Sequence, residues 1–302
     1  MNEWSLLIFT YMMNAAAGLC VVSGGFAVHL SRCLPADSFK RFMMLTIFII
    51  CTIAGAGSVA SITHLGVPLN APNAVNNVFS AWLSREVVVT AAFVGALGVS
   101  FLWLWKTGKF SFLLYGGAMA VGLADIFCMA SIYRYTSILT WNDINTYLMF
   151  YGTTLTLGAV LFVLVVMVMV IRKAGRRAGI TLPADALSLS QLWQLWGVMA
   201  VSLIGRLLYQ PFYAHYLTRT QLTHKSVTFP LSPIEAYDSI AGLRIGVRVA
   251  AVIGVALCGI SLVRAQKKAH SGLPVCAGFI SGCLLTIAAE FMLRYVFYYI
   301  HI

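Results

Sequence analysis

The chain of 302 residues is 60% hydrophobic and only 10% charged, whereas soluble globular domains are about half apolar and about a quarter charged. These proportions exclude a water-soluble enzyme or binding domain and predict an all-α integral membrane protein. The net charge of +11 does not indicate nucleic-acid binding, because the basic residues are spread over the connections between apolar segments.

Eight apolar runs follow one another along the chain. Each is close to the 20 residues that a helix needs to cross the hydrocarbon core of a bilayer. No Lys or Arg precedes the first run, so we expect a retained span rather than a cleaved signal peptide. The sequence thus predicts one membrane domain over residues 1–302. Its eight predicted spans are 5–31, 40–64, 86–105, 112–133, 147–171, 191–209, 240–264 and 275–299.

The positions of the basic residues predict the orientation of this bundle. Connections after even-numbered spans hold only four, namely Arg85, Arg134, Arg219 and Lys225. Connections after odd-numbered spans, together with the span ends that flank them, hold twelve: Arg32, Lys40, Arg41, Lys106, Lys109, Arg172, Lys173, Arg176, Arg177, Arg264, Lys267 and Lys268. Because cytoplasmic connections carry the excess of Lys and Arg, we expect both termini on the non-cytoplasmic side. The three long connections, 65–85, 134–146 and 210–239, then lie on that outer side.

A histidine and a carboxylate lie at the ends of two neighbouring spans. His64 ends the second predicted span and Glu86 starts the third. Ionisable groups at membrane depth are costly and commonly functional, although a histidine at a span end can also rest in the interface. An imidazole can accept a proton near neutral pH, and a carboxylate can relay it. The pair predicts a site that handles protons, as quinol oxidation requires.

Further ionisable residues fall inside the later spans. Glu290 and Arg294 are four residues apart, so the helical spacing favours an ion pair along one helix. Arg244 and Arg248 share that spacing but repel each other, and they need acidic partners in the bundle, in a loop or on another protein. For Asp125 a hydrogen bond between helices is the simplest expectation, with a proton path as the alternative.

The sequence indicates no metal or haem site. The seven cysteines form no C-x-x-C cluster, which argues against an iron–sulfur or zinc site in this protein. No two histidines lie at matching depth within spans, as bis-histidine haem would need. If the protein oxidises a quinol, its electrons must therefore pass to a partner protein.

Four segments resemble the membrane-anchor subunit family of anaerobic dimethyl sulfoxide reductases, and they cover nearly the whole sequence. The most specific one combines Ser61-x-x-His64-Leu65-Gly66-x-Pro68 with Leu83-Ser84-x-Glu86. The others are Glu3-Trp4-x-Leu6-x-Ile8-Phe9-Thr10, Leu243-Arg244-Ile245 and Glu290-x-x-x-Arg294-x-x-Phe297-Tyr298-x-x-His301.

This resemblance implies a haem-free anchor in the bacterial inner membrane that binds and oxidises menaquinol during anaerobic respiration. Electrons would pass to an iron–sulfur subunit and then to a molybdenum-cofactor catalytic subunit, both docked on the outer face. The terminal acceptor would be dimethyl sulfoxide or a related oxide. In the family, the positions of His64 and Glu86 are associated with quinol oxidation. Positions expected to bind the quinol or support its site are Arg85, Arg244, Glu290 and Arg294.

The sequence departs from the family pattern at four places, one of which is a tail that stops just after His301. Arg85 stands where an asparagine is common, Leu243 replaces a tryptophan, and the connection 210–239 is unlike the usual segment. An anchor of the polysulfide or nitrite reductase type is therefore an alternative, as is a purely structural anchor. A secondary transporter would also explain eight spans with buried charges, but repeat-related halves are not visible.

Overall fold

A computed structural model describes residues 4–62, 75–174, 187–223, 232–267 and 277–300. In these ranges the regular elements are helical, and eight of the helices are long and apolar enough to cross a membrane. The predicted all-α bundle of eight spans is confirmed. The helices are α1 (Trp4–Cys33), α2 (Ala36–Ile62), α3 (Trp82–Thr107), α4 (Phe112–Arg134), α5 (Asn145–Ala174), α6 (Leu189–Thr223), α7 (Pro233–Ser239), α8 (Ala241–Lys267) and α9 (Ala277–Tyr299).

The sixth span does not end where the sequence predicts. Helix α6 continues past residue 209 to Thr223 with Pro211 inside it, so the prediction of a loop starting at residue 210 was wrong. Proline removes one backbone hydrogen bond of a helix. Contacts with the α4–α5 connection compensate, since the Tyr213 hydroxyl donates to the Thr140 carbonyl (2.6 Å) and the Tyr216 hydroxyl to the Leu139 carbonyl (3.2 Å).

The short helix α7 leads into α8 and begins with a capping box. The Ser232 hydroxyl accepts a hydrogen bond from the backbone N–H of Glu235 (3.4 Å), and the Glu235 carboxylate accepts one from the backbone N–H of Ser232 (2.9 Å). The backbone hydrogen bond from Ser232 lowers the pKa of Glu235. This cap fixes the start of α7, the helix that carries Tyr237 and Asp238 and directly precedes α8.

Helix α1 is the centre of the bundle and packs against α2, α4, α5 and α9. Its contact with α5 is close because two glycines face each other. A Cβ atom added to Gly18 would collide with the Thr154 carbonyl oxygen, and one added to Gly158 would collide with the backbone of Gly18. Small residues that let backbones approach are the usual means of packing helices in lipid.

This close approach predicts a sharp difference between two glycine variants. Gly158→Ala should lower the thermal denaturation midpoint of the detergent-solubilised protein, because the added methyl group meets backbone that cannot move aside. Overpacking of this kind costs roughly 1–3 kcal/mol. The matched control is Gly117→Ala in α4, where an added Cβ meets nothing within 4 Å. Equal midpoints for the two variants would contradict the packing described.

Candidate functional site

Glu86 lies in the first turn of α3 and its side chain is buried against α4, with 6% of the residue exposed. One turn later on α3, the Thr90 hydroxyl donates a hydrogen bond to Oδ1 of Asp125 on α4 (2.7 Å). The expected hydrogen bond between helices at Asp125 is therefore confirmed. Glu86 and Asp125 interact electrostatically, and Oδ2 of Asp125 is buried without a hydrogen-bond partner among the described residues. These two buried carboxyl groups, one on α3 and one on the neighbouring α4, form the carboxyl pair of the candidate site.

Arg85 supports the segment in front of Glu86 rather than its carboxylate. The Arg85 Nε donates to the Val78 carbonyl (2.9 Å) and Nη2 donates to the Phe79 carbonyl (2.7 Å). The guanidinium also lies 4.3 Å from the centre of the Trp82 ring, a cation–π contact. Because adjacent residues of a helix point in different directions, Arg85 and Glu86 act on different surroundings.

His64 lies outside the described residues, together with Leu65, Gly66, Pro68 and His301. Helix α2 ends at Ile62 and α3 begins at Trp82. The predicted proximity of His64 and Glu86 thus stays a prediction.

Glu290 is paired with Arg206 of α6, so the prediction of an ion pair with Arg294 was wrong. The guanidinium of Arg206 bonds both carboxylate oxygens, with Nη1 lying 2.8 Å from Oε2, and the Thr153 hydroxyl donates to Oε2 (2.9 Å). A bidentate arginine–carboxylate contact is stronger than a pairing along one helix. Gly152 makes room for it, since a Cβ there would lie 2.6 Å from Cδ of Arg206.

Arg294 is a buried cation on the same helix as Glu290, with 1% of the residue exposed. None of its three guanidinium nitrogens has a hydrogen-bond partner among the described residues. Its charge lies 3.8 Å from the centre of the Phe150 ring. A cation–π contact partly replaces the missing partner.

A pair of buried tyrosines connects α4 with α9. The hydroxyl groups of Tyr133 and Tyr298 are 2.7 Å apart, and Tyr298 also bonds the Thr10 hydroxyl (3.1 Å). Both tyrosines interact electrostatically with Glu86 and with Arg294. The hydrogen bond between their hydroxyl groups thus links α4, which packs on the helix of Glu86, to α9, which carries Arg294.

Arg244 is placed differently, near the start of α8, which packs mainly on α9 and α6. The Asp238 carboxylate of α7 is its acidic partner, at 3.5 Å from Nη2. Arg248 bonds the Gln210 side chain and the Tyr237 hydroxyl, which are neutral groups. The structure does not place these two arginines beside Glu86.

Sequence reasoning missed several of these buried polar residues. Tyr133, Tyr298 and Thr153 are common residues in spans, and nothing in the local pattern distinguishes them. Arg206 was visible as a charge inside an apolar run, but its partner was not. Among the described residues, no group of three or more His, Cys, Asp or Glu side chains is arranged to hold a metal ion.

Comparison with known proteins gives a consistent result. The family model of the DMSO reductase anchor subunit (DmsC) matches residues 1–300. The anaerobic dimethyl sulfoxide reductase protein YnfH of Escherichia coli is 27% identical over 308 residues, covering 99% of this sequence and 95% of that protein. The C subunit of the anaerobic dimethyl sulfoxide reductase of Haemophilus influenzae is 32% identical over 164 residues, covering 53% and 57%. The C subunit of the E. coli reductase is 30% identical over 167 residues, covering 53% and 56%.

The family match spans both the segment around His64 and Glu86 and the closing helix with Glu290 and Arg294. With eight candidate spans, the chain is a multi-pass protein of the bacterial inner membrane. It belongs to the family of DMSO reductase anchor subunits.

Proposed function

We propose that this protein binds menaquinol and oxidises it within a reductase complex. The anchor delivers the electrons to an iron–sulfur subunit, which feeds a molybdenum-cofactor subunit that reduces dimethyl sulfoxide or a related oxide. The family match over residues 1–300 supports the anchor role. The observation that carries the quinol chemistry is the buried Glu86 carboxyl group beside Asp125, directly after the connection that holds His64.

The proposed chemistry balances without a cofactor in this protein. Menaquinol loses two electrons and two protons and becomes menaquinone. His64 hydrogen-bonds a quinol hydroxyl group and accepts its proton, and Glu86 relays protons away from the ring. The two electrons leave for the iron–sulfur subunit, which is the acceptor.

The remaining site residues support this arrangement. Arg85 holds residues 78 and 79 against the start of α3, which positions the first turn that carries Glu86. Glu290 and Arg294 lie on α9, which the hydrogen bond between Tyr133 and Tyr298 links to α4. Arg244 lies apart from this arrangement, near the start of α8.

The charge distribution of the sequence favours a site on the non-cytoplasmic side. Protons released from the quinol then reach that side without crossing the membrane. Turnover would contribute little charge separation by itself. Reconstitution into vesicles with a potential-sensitive dye should show no substantial potential during quinol oxidation.

The purified complex tests the proposal directly. A reduced menaquinol analogue should be oxidised in step with dimethyl sulfoxide reduction, one molecule for one. An artificial donor that reduces the catalytic subunit directly serves as the control. If the artificial donor supports reduction but the quinol analogue is neither bound nor oxidised, the protein is a structural anchor and the proposal fails.

A further inference from the structure

A cavity lies among α5, α6, α7, α8 and α9, apart from the α3–α4 carboxyl pair. Its polar lining includes Arg206, Gln210, Tyr237, Arg244 and Arg248. Since α8 begins and α9 ends at this level, the cavity lies at the end of the bundle that the charge distribution places outside.

Arg244 presents unused hydrogen-bond donors in this cavity. The residue is 8% exposed, and its Nε and Nη1 have no hydrogen-bond partner among the described residues. Its third nitrogen, Nη2, is 3.5 Å from the Asp238 carboxylate, whose side chain is 63% exposed. The guanidinium carbon of Arg244 lies 3.2 Å from the centre of the Tyr237 ring. This cation–π contact fixes the orientation of the guanidinium group. Buried guanidinium donors in a fixed plane fit the oxygens of an anion.

The charges around the cavity favour an anion over a neutral ligand. Arg206 is neutralised by Glu290, but Arg248 bonds only neutral partners, Gln210 and Tyr237, among the described residues. The residues that line the cavity include no Asp or Glu. Arg244 and Arg248 therefore give the lining an excess of positive charge.

The other part of the lining is apolar. Leu203 and Leu207 of α6 face Leu293 and Val296 of α9 across the cavity. A ligand that fills it would combine an anionic group with an apolar body. Quinol oxidation does not fit this lining, because neither a histidine nor a carboxylate is among its residues to take the proton.

We propose that this cavity binds the phosphate group of an anionic phospholipid, with Arg244 as the main ligand. Nε and Nη1 of Arg244 donate to phosphate oxygens, and Arg248 adds a second positive charge. The phosphate lies in the cavity, and the acyl chains extend from it into the surrounding bilayer. The bound lipid holds α8 against α6 and does not depend on the proposed quinol chemistry.

The intact complex, delipidated in detergent, provides the test. Phosphatidylglycerol should raise its thermal denaturation midpoint, whereas phosphatidylcholine with the same acyl chains and inorganic phosphate should not. Arg244→Gln should weaken the apparent affinity for phosphatidylglycerol about tenfold or more, because it removes a charge-assisted contact. Arg264→Gln, at the opposite, exposed end of α8, is the control and should bind the lipid like the unmodified complex.

Each other outcome overturns the proposal. If inorganic phosphate raises the midpoint as much as phosphatidylglycerol does, the cavity is a site for free anions. If phosphatidylcholine raises it as much, the site does not select for the negative charge of the lipid. Unchanged phosphatidylglycerol binding in Arg244→Gln would mean that the lipid lies elsewhere. If Arg244→Gln does not assemble, Arg248→Gln and mass spectrometry of co-purified lipid replace it. Absence of anionic lipid from the unmodified complex before delipidation would mean that the cavity does not hold such a lipid.

Discussion

Glu86→Gln is expected to lower menaquinol-dependent reductase turnover by about a hundredfold or more, while reduction driven by an artificial donor stays at its normal rate. Glutamine keeps the size of the side chain but does not take up a proton at neutral pH. Proton transfer by a positioned side chain contributes typically about 10²–10⁴-fold to a rate. The measurement is the steady-state rate of quinol analogue oxidation by the purified complex, with the artificial donor assayed in parallel.

A binding assay separates a loss of proton transfer from a loss of the site. A non-oxidisable quinone analogue should still bind the Glu86→Gln complex, whereas His64→Ala should weaken that binding as well as turnover. Asp37→Asn changes an exposed acid in the first turn of α2 and serves as the matched control. Unchanged quinol-linked turnover in Glu86→Gln would remove Glu86 from the mechanism.

Arg206→Met is expected to destabilise the protein strongly. It leaves the buried Glu290 carboxylate with only the Thr153 hydroxyl as a hydrogen-bond donor among the described residues. Removing one partner of a buried ion pair costs about 3–5 kcal/mol, since the other charge is left uncompensated. The amount of folded protein in the membrane and the denaturation midpoint in detergent should both fall.

The double variant Arg206→Met/Glu290→Met identifies the cause. Replacing both charges by apolar side chains of similar volume is often nearly neutral. We expect the double variant to recover part of the stability that Arg206→Met loses. The recovery stays incomplete because Arg294 loses its acidic neighbour when Glu290 is replaced. Arg264→Met, at the exposed end of α8, should leave the midpoint unchanged. A single variant Arg206→Met as stable as the unmodified protein would contradict the role given to the pair.

Hydropathy was enough to predict eight spans, because a helix that crosses lipid satisfies its backbone hydrogen bonds internally and needs about 20 apolar residues in a row. It failed at residues 210–223, where polar residues and Pro211 indicate a loop. The extension of α6 depends on Tyr213 and Tyr216 reaching carbonyl groups of the α4–α5 connection, which lies far earlier in the sequence. Such distant contacts leave no periodic signal in the local sequence.

The candidate site was predictable only in part for a similar reason. Helical spacing identifies neighbours along one helix, which made Arg294 the obvious partner of Glu290. It does not give the rotation of one helix against another, and that rotation brings Arg206 to Glu290. The depth of Glu86 at the start of a span was readable from the sequence, whereas Tyr133 and Tyr298 became visible only once α4 and α9 were packed.

The length of α6 has a mechanical consequence. A helix of 35 residues is about 52 Å long at 1.5 Å per residue, whereas the hydrocarbon core is about 30 Å thick. Part of α6 must therefore lie outside the hydrocarbon core, and Tyr213 and Tyr216 hold the end beyond Pro211 against the α4–α5 connection. Arg206 lies in the same continuous helix, so a displacement of α6 along its axis would also move the guanidinium that pairs with Glu290.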